Sequence, residues 1–75
     1  MIKIKNEEVI KAFGKKLRQL RISKGLSQKE LASLTKIPLS QVGRIERGEI
    51  NATLSTMNAL SSALNISVSL LLKFD

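Results

Sequence analysis

The 75-residue chain has no cysteine and no histidine. That excludes disulfides, Cys or His metal sites and any catalysis built on those side chains. Tyrosine and tryptophan are missing too, and the only aromatics are Phe13 and Phe74. Proteins that hold single strands or RNA usually stack bases on aromatic rings, so duplex DNA is the favoured nucleic acid. Acidic residues are few: six stand against thirteen Lys and Arg, leaving a net charge of +7. Apolar runs all fall short of the ~18 residues that span a membrane. None follows the basic Met1–Lys5 stretch as a secretory signal would require. The expectation is a cytoplasmic protein with no membrane, metal or cofactor. With no repeat, linker or low-complexity segment, residues 1–75 read as one domain with a small core.

What is present is positive charge, which suits a polyanion, and one organised stretch, Gln28 to Gly48. Ser27 and Glu30 fit a capping box, with Leu31, Ala32 and Leu34 as the apolar face of a helix ending at Thr35. Pro38 disfavours helix at Ile37 and suits the first turn of a new helix. In that second helix Val42 and Ile45 point inward. Leu39, Ser40, Gln41, Gly43, Arg44 and Arg47 fall on the outer side or its flanks, and Gly48 supplies a left-handed stop. Helices this short need outside packing. Small and hydrogen-bonding side chains left on an open helix face suit base reading in a basic protein.

The flanking elements are helical as well. Met1–Lys5 reads as a loosely held arm; a strand on a partner subunit or a phosphate contact are the alternatives. Asn6 is a plausible N-cap, and Glu7 and Glu8 suit the positive end of a helix better than an acid–base pair. Ile10, Phe13, Leu17 and Leu20 form a core stripe to about Lys24, and Gly25 ends it. Beyond Gly48, Thr53 (or Asn51) caps a helix with Leu54, Met57, Leu60, Ala63 and Leu64 inside. Asn65 closes it, and a last short helix runs from Val68 to about Lys73. Leu70, Leu71, Leu72 and Phe74 exceed what one face needs. They read as a two-fold dimer contact, with Leu70, Leu71 and Phe74 at its centre; the alternative is that all four pack on the first helix.

The runs Gly25-Leu-Ser-Gln-x-Glu-Leu-Ala-Ser and Ser40-Gln-Val-x-Arg-Ile-Glu-Arg-Gly48 resemble the helix-turn-helix of lambda-type phage repressors, Cro proteins and the wider xenobiotic-response-element family. The resemblance covers roughly Phe13 to Leu71. With the Asn51-Ala-Thr-Leu54 lead-in, it extends to the controller proteins of restriction–modification systems. It implies an all-α, five-helix, lambda-repressor-like bundle and a dimeric transcriptional regulator that binds double-stranded DNA. It also implies an ion pair between Arg21 and Glu46, against the alternative of two unrelated surface charges. Gln28 would touch phosphate and brace the recognition helix, unless it is an ordinary surface glutamine. Leu39, Ser40, Gln41 and Arg44 would face the groove. Arg47, Asn51 and Thr53 are phosphate candidates, or else solvated loop residues. Four positions depart from many relatives: Pro38 replaces a Ser or Thr cap, Ala52 a proline, and Leu39 and Gly43 stand where polar residues are common. Competing readings are an antitoxin-like module holding a partner protein and an enzyme; no partner-binding tail supports the first and no nucleophile–base pair the second.

Overall fold

Five α-helices follow one another in a computed structural model that describes residues 6–73: α1 (Asn6–Ser23), α2 (Gln28–Thr35), α3 (Leu39–Glu46), α4 (Leu54–Ala63) and α5 (Val68–Leu71). No strand occurs among the described residues. The arm at residues 1–5 and Phe74 lie outside them.

Local chemistry sets most helix ends. Ser27 Oγ accepts from the Glu30 N–H at 3.0 Å while Glu30 Oε1 accepts from the Ser27 N–H at 2.9 Å, closing the capping box of α2. These bonds favour the ionised Glu30 and hold its carboxyl below the usual range. Thr53 and Ser67 cap α4 and α5 from one side only, each hydroxyl accepting from the N–H three residues on. Pro38 has no hydroxyl to offer, so α3 starts without a side-chain cap, and Pro38 occupies the residue before the helix rather than its first turn. Lys36 takes a left-handed conformation (φ 61°) to stop α2.

The core is built from Phe13 and Leu17 of α1, Leu31 and Ala32 of α2, Val42 and Ile45 of α3, Leu60 and Leu64 at the end of α4, and Leu71 of α5. Each fully buried aliphatic side chain contributes about 1.5–3 kcal/mol of transfer free energy. Helix α1 packs on α3; α2 packs on α3 and α4; α5 closes on α4 and α1.

Three expectations about apolar residues are corrected. Leu71 is fully buried in the monomer, so it belongs to the core and not to a dimer face; Leu70 and Leu72 on either side point out. With α5 only four residues long, one side chain satisfies its inner face. Leu34 is 60% and Leu54 72% exposed. Leu54 is the first residue of α4 and stays open to solvent, and half-buried Thr35 takes the inward position at the end of α2 instead of Leu34.

Gly14 has a role that helix propensity hides. A Cβ on it would overlap the carbonyl oxygen of Ile45 and lie 2.7 Å from that of Glu46. Backbone therefore meets backbone where α1 crosses the end of α3, and only glycine fits.

Candidate nucleic-acid interface

Helix α3 is fixed from within by one buried polar cluster. Arg21 of α1 donates from Nε to Glu46 Oε2 at 2.6 Å and from Nη2 to Glu46 Oε1 at 3.0 Å. Its Nη1 donates to the Leu26 carbonyl at 2.8 Å. Gln28 at the start of α2 completes the set, its Nε2 donating to Glu46 Oε1 at 3.0 Å. The two charged side chains keep 11% and 2% of their surface exposed. Such a bidentate pair matches the planar fork of arginine to a carboxylate. The hydrogen bond to Glu46 holds the Arg21 guanidinium above its ordinary pKa, so it stays charged at any ordinary pH. No buried side-chain polar atom among the described residues lacks a partner. One carboxylate thus ties α1, α2 and α3 together, and the orientation of α3 follows from it.

Val42 and Ile45, both fully buried, hold the inner side of α3. The opposite side is open. Leu39 is 47% exposed, Ser40 and Arg44 are exposed, and Gln41 is half-buried. Gly43 differs from the expectation that it falls on the outer side of α3 or its flanks. It is buried, with Arg47 Nη1 3.0 Å and Gln28 Oε1 3.6 Å from where a Cβ would stand. The room a side chain would take is filled by Arg47 lying back across the helix.

The flanks carry the remaining candidates. Gln28 spans from α2 to Glu46 with the second N–H of its amide outside that bond. Arg47 donates from Nε to Glu49 Oε2 at 2.6 Å, which raises its pKa. Thr53 Oγ1 donates to Thr56 Oγ1 at 3.0 Å as well as capping α4, and Asn51 is exposed in the loop before it. Gln28 opens α2 and Thr53 caps the start of α4, helix N-termini whose unpaired backbone N–H groups suit phosphate, while Arg47 closes α3.

Glu49 is the residue that sequence reasoning passed over. Gly48 (φ 72°) turns the chain left-handed, its N–H donating to Ile45 O at 3.0 Å while the Glu49 N–H donates to Arg44 O at 2.9 Å. This pair of bonds is a Schellman motif. It folds Glu49 back beside Arg44 and Arg47, both of which it faces. A Cβ on Gly48 would lie 2.6 Å from Lys11 Cγ, so α1 also packs against this turn.

Comparison with known proteins agrees with this geometry. A family profile described as helix-turn-helix matches residues 17–71. The chain is 37% identical over 65 residues to the control protein C.SmaI of Serratia marcescens, covering 87% of this chain and 77% of that protein. It is 38% identical over 61 residues to a prophage-derived, uncharacterised HTH-type transcriptional regulator of Bacillus subtilis. That match covers 81% of this chain and 56% of the relative, so the chain spans little more than half of that relative's length. Among solved structures, the restriction-modification controller protein C.AhdI from Aeromonas hydrophila is similar, with a TM-score of 0.80 at 44% identity. There the match covers 85% of this chain and 96% of the other.

The chain belongs to the helix-turn-helix family of DNA-binding transcriptional regulators. Within it, the small controller proteins are among the chains it is similar to over most of both lengths.

Proposed function

We propose that the chain binds double-stranded DNA as a homodimer on a pseudo-palindromic operator, with α3 in the major groove. The observation that carries this reading is the open outer side of α3, set on a helix that Val42, Ile45 and Glu46 hold rigidly from inside. Arg44 can donate bidentately to guanine O6 and N7; Gln41 can grip adenine or a phosphate; Leu39 can meet a thymine methyl. Ser40 reaches either kind of base and discriminates little. Gln28, Arg47, Asn51 and Thr53 set the register through phosphates without reading sequence.

A single module reads few base pairs, and a second copy one helical turn away couples two weak half-sites. Leu70 of α5 and Leu72 just after it are 39% and 43% exposed, and Val9 of α1 lines the same apolar groove as Leu72. These are the side chains offered to a second copy; Phe74 is a further candidate outside the described residues. The protein performs no chemistry of its own: it acts by occupying DNA in the cytoplasm of a prokaryotic cell. Its likeness to C.SmaI and C.AhdI supports a role as a controller of a restriction–modification locus.

Selection from a random duplex pool tests this reading. Enrichment of an inverted repeat with half-site centres ~34 Å apart, about one helical turn, is expected. Failure to retain any duplex at low ionic strength contradicts it.

A further inference from the structure

Among the described residues, Glu49 is the only acid in an ion pair with either of the two arginines at the end of α3. Its Oε2 accepts from Arg47 Nε at 2.6 Å, and its Oε1 stands 3.6 Å from Arg44 Nε. The arginine side chains keep 54% and 59% of their surface exposed, and that of Glu49 46%. Ion pairs this exposed do little for stability. An acid beside a groove meant for DNA also weakens attraction to every duplex. Neither consequence accounts for the arrangement, whereas the identity of the contacting atoms does. In both pairs Nε is the nearest guanidinium atom, hydrogen-bonded in Arg47 and approached by charge alone in Arg44. A guanidinium presents five N–H donors in a rigid plane, and its outer edge, Nη1 with Nη2, offers two parallel donors that can meet guanine O6 and N7. Engaging Nε therefore leaves that edge of Arg44 and Arg47 uncommitted to Glu49.

We infer that Glu49 is a positioning residue for base reading: its carboxylate holds Arg44 by the Nε side so that the outer edge meets guanine, and steadies Arg47 beside it for phosphate. The inference rests on the duplex-binding reading above. A long side chain loses rotamer freedom when it binds, and one already held in its bound orientation loses less. The same carboxylate penalises complexes in which the two arginines would settle on any phosphate within reach. Specificity thus gains at the expense of raw affinity. The Schellman turn at Gly48 is what makes this possible, because it carries residue 49 back over the last turn of α3.

The test uses the full chain, the duplex selected by the wild-type protein, versions of that duplex with each guanine exchanged in turn, and a random-sequence duplex. Glu49→Ala should bind the random duplex more tightly. Its discrimination against loss of the Arg44-contacted guanine should fall on the order of 10-fold, a part of what one bidentate contact provides. Glu49→Gln, which keeps an acceptor oxygen, should discriminate better than Glu49→Ala. In an Arg44→Ala background, Glu49→Ala should change discrimination at that guanine no further. Melting temperatures of the Glu49 variants should match the wild type. An equal rise in affinity for all duplexes with discrimination unchanged overturns the inference, as does Glu49→Gln discriminating no better than Glu49→Ala. Absence of duplex binding by the wild type would instead overturn the functional reading beneath it.

Discussion

Arg21 and Glu46, 25 residues apart in sequence, meet through two hydrogen bonds of 2.6 and 3.0 Å in the crossing of α1 and α3. Glu46 is the last residue of the recognition helix, and Gln28 holds the same carboxylate from α2. The pair thus sets the angle at which the outer side of α3 is displayed.

Breaking this pair leaves a charge buried without its partner, at a cost of roughly 3–5 kcal/mol. Glu46→Ala should therefore lower the melting temperature by more than ~12 °C in a domain of this size. Glu49→Ala, at an exposed ion pair, should leave it unchanged. Thermal unfolding followed by circular dichroism checks both, and equal melting temperatures for the two variants would refute the assignment.

Gly14→Ala should destabilise although alanine is the better helix former. The propensity gain is about 1 kcal/mol, while the new Cβ collides with carbonyl oxygens of α3. Overpacking of this kind costs up to ~3 kcal/mol, so a net loss of about 2 kcal/mol is expected. Urea titration measures it; a stabilised variant would mean that α1 and α3 can separate freely.

Neighbouring leucines of α5 should behave oppositely. Leu71→Ala empties a fully buried position and should cost ~2–5 kcal/mol. Leu70→Lys combined with Leu72→Lys changes only exposed positions. It should leave the monomer folded and convert dimer to monomer in light scattering. A persistent dimer would move the interface away from α5.

Affinity for the selected duplex should fall steeply with salt. If the dimer neutralises ~8 phosphates, log K against log salt should have a slope near −7. Anisotropy titrations across ionic strengths give the value, and a slope near zero would exclude phosphate contacts as the main source of affinity.

Much of this protein is legible in its residues because the signals are local. Ser27 with Glu30, the left-handed stop at Gly48 and the Thr53 cap each act within three or four positions. The inward pair Val42 and Ile45 follows from helical spacing. Other features depend on what a neighbouring element does. Periodicity cannot choose among Leu70, Leu71 and Leu72 in a helix of four residues, so the buried one emerges only when α1 and α4 are in place. Leu34 and Leu54 look like core residues by type but stand where nothing covers them. Gly14 gives no sign of a close crossing, and Gly43 none that Arg47 lies over it. The approach of Glu49 to Arg44 and Arg47 crosses a helix end, where no helical spacing applies; the glycine before it was the available signal.

The binding of Arg44→Ala to single-base variants of the selected operator is the most direct test that the outer side of α3 reads sequence. The loss should be about 1–3 kcal/mol and confined to one position in each half-site, with preference there relaxed and the other positions read as before. A uniform loss across all variants would take Arg44 off the bases and leave α3 without the contact on which its recognition role depends.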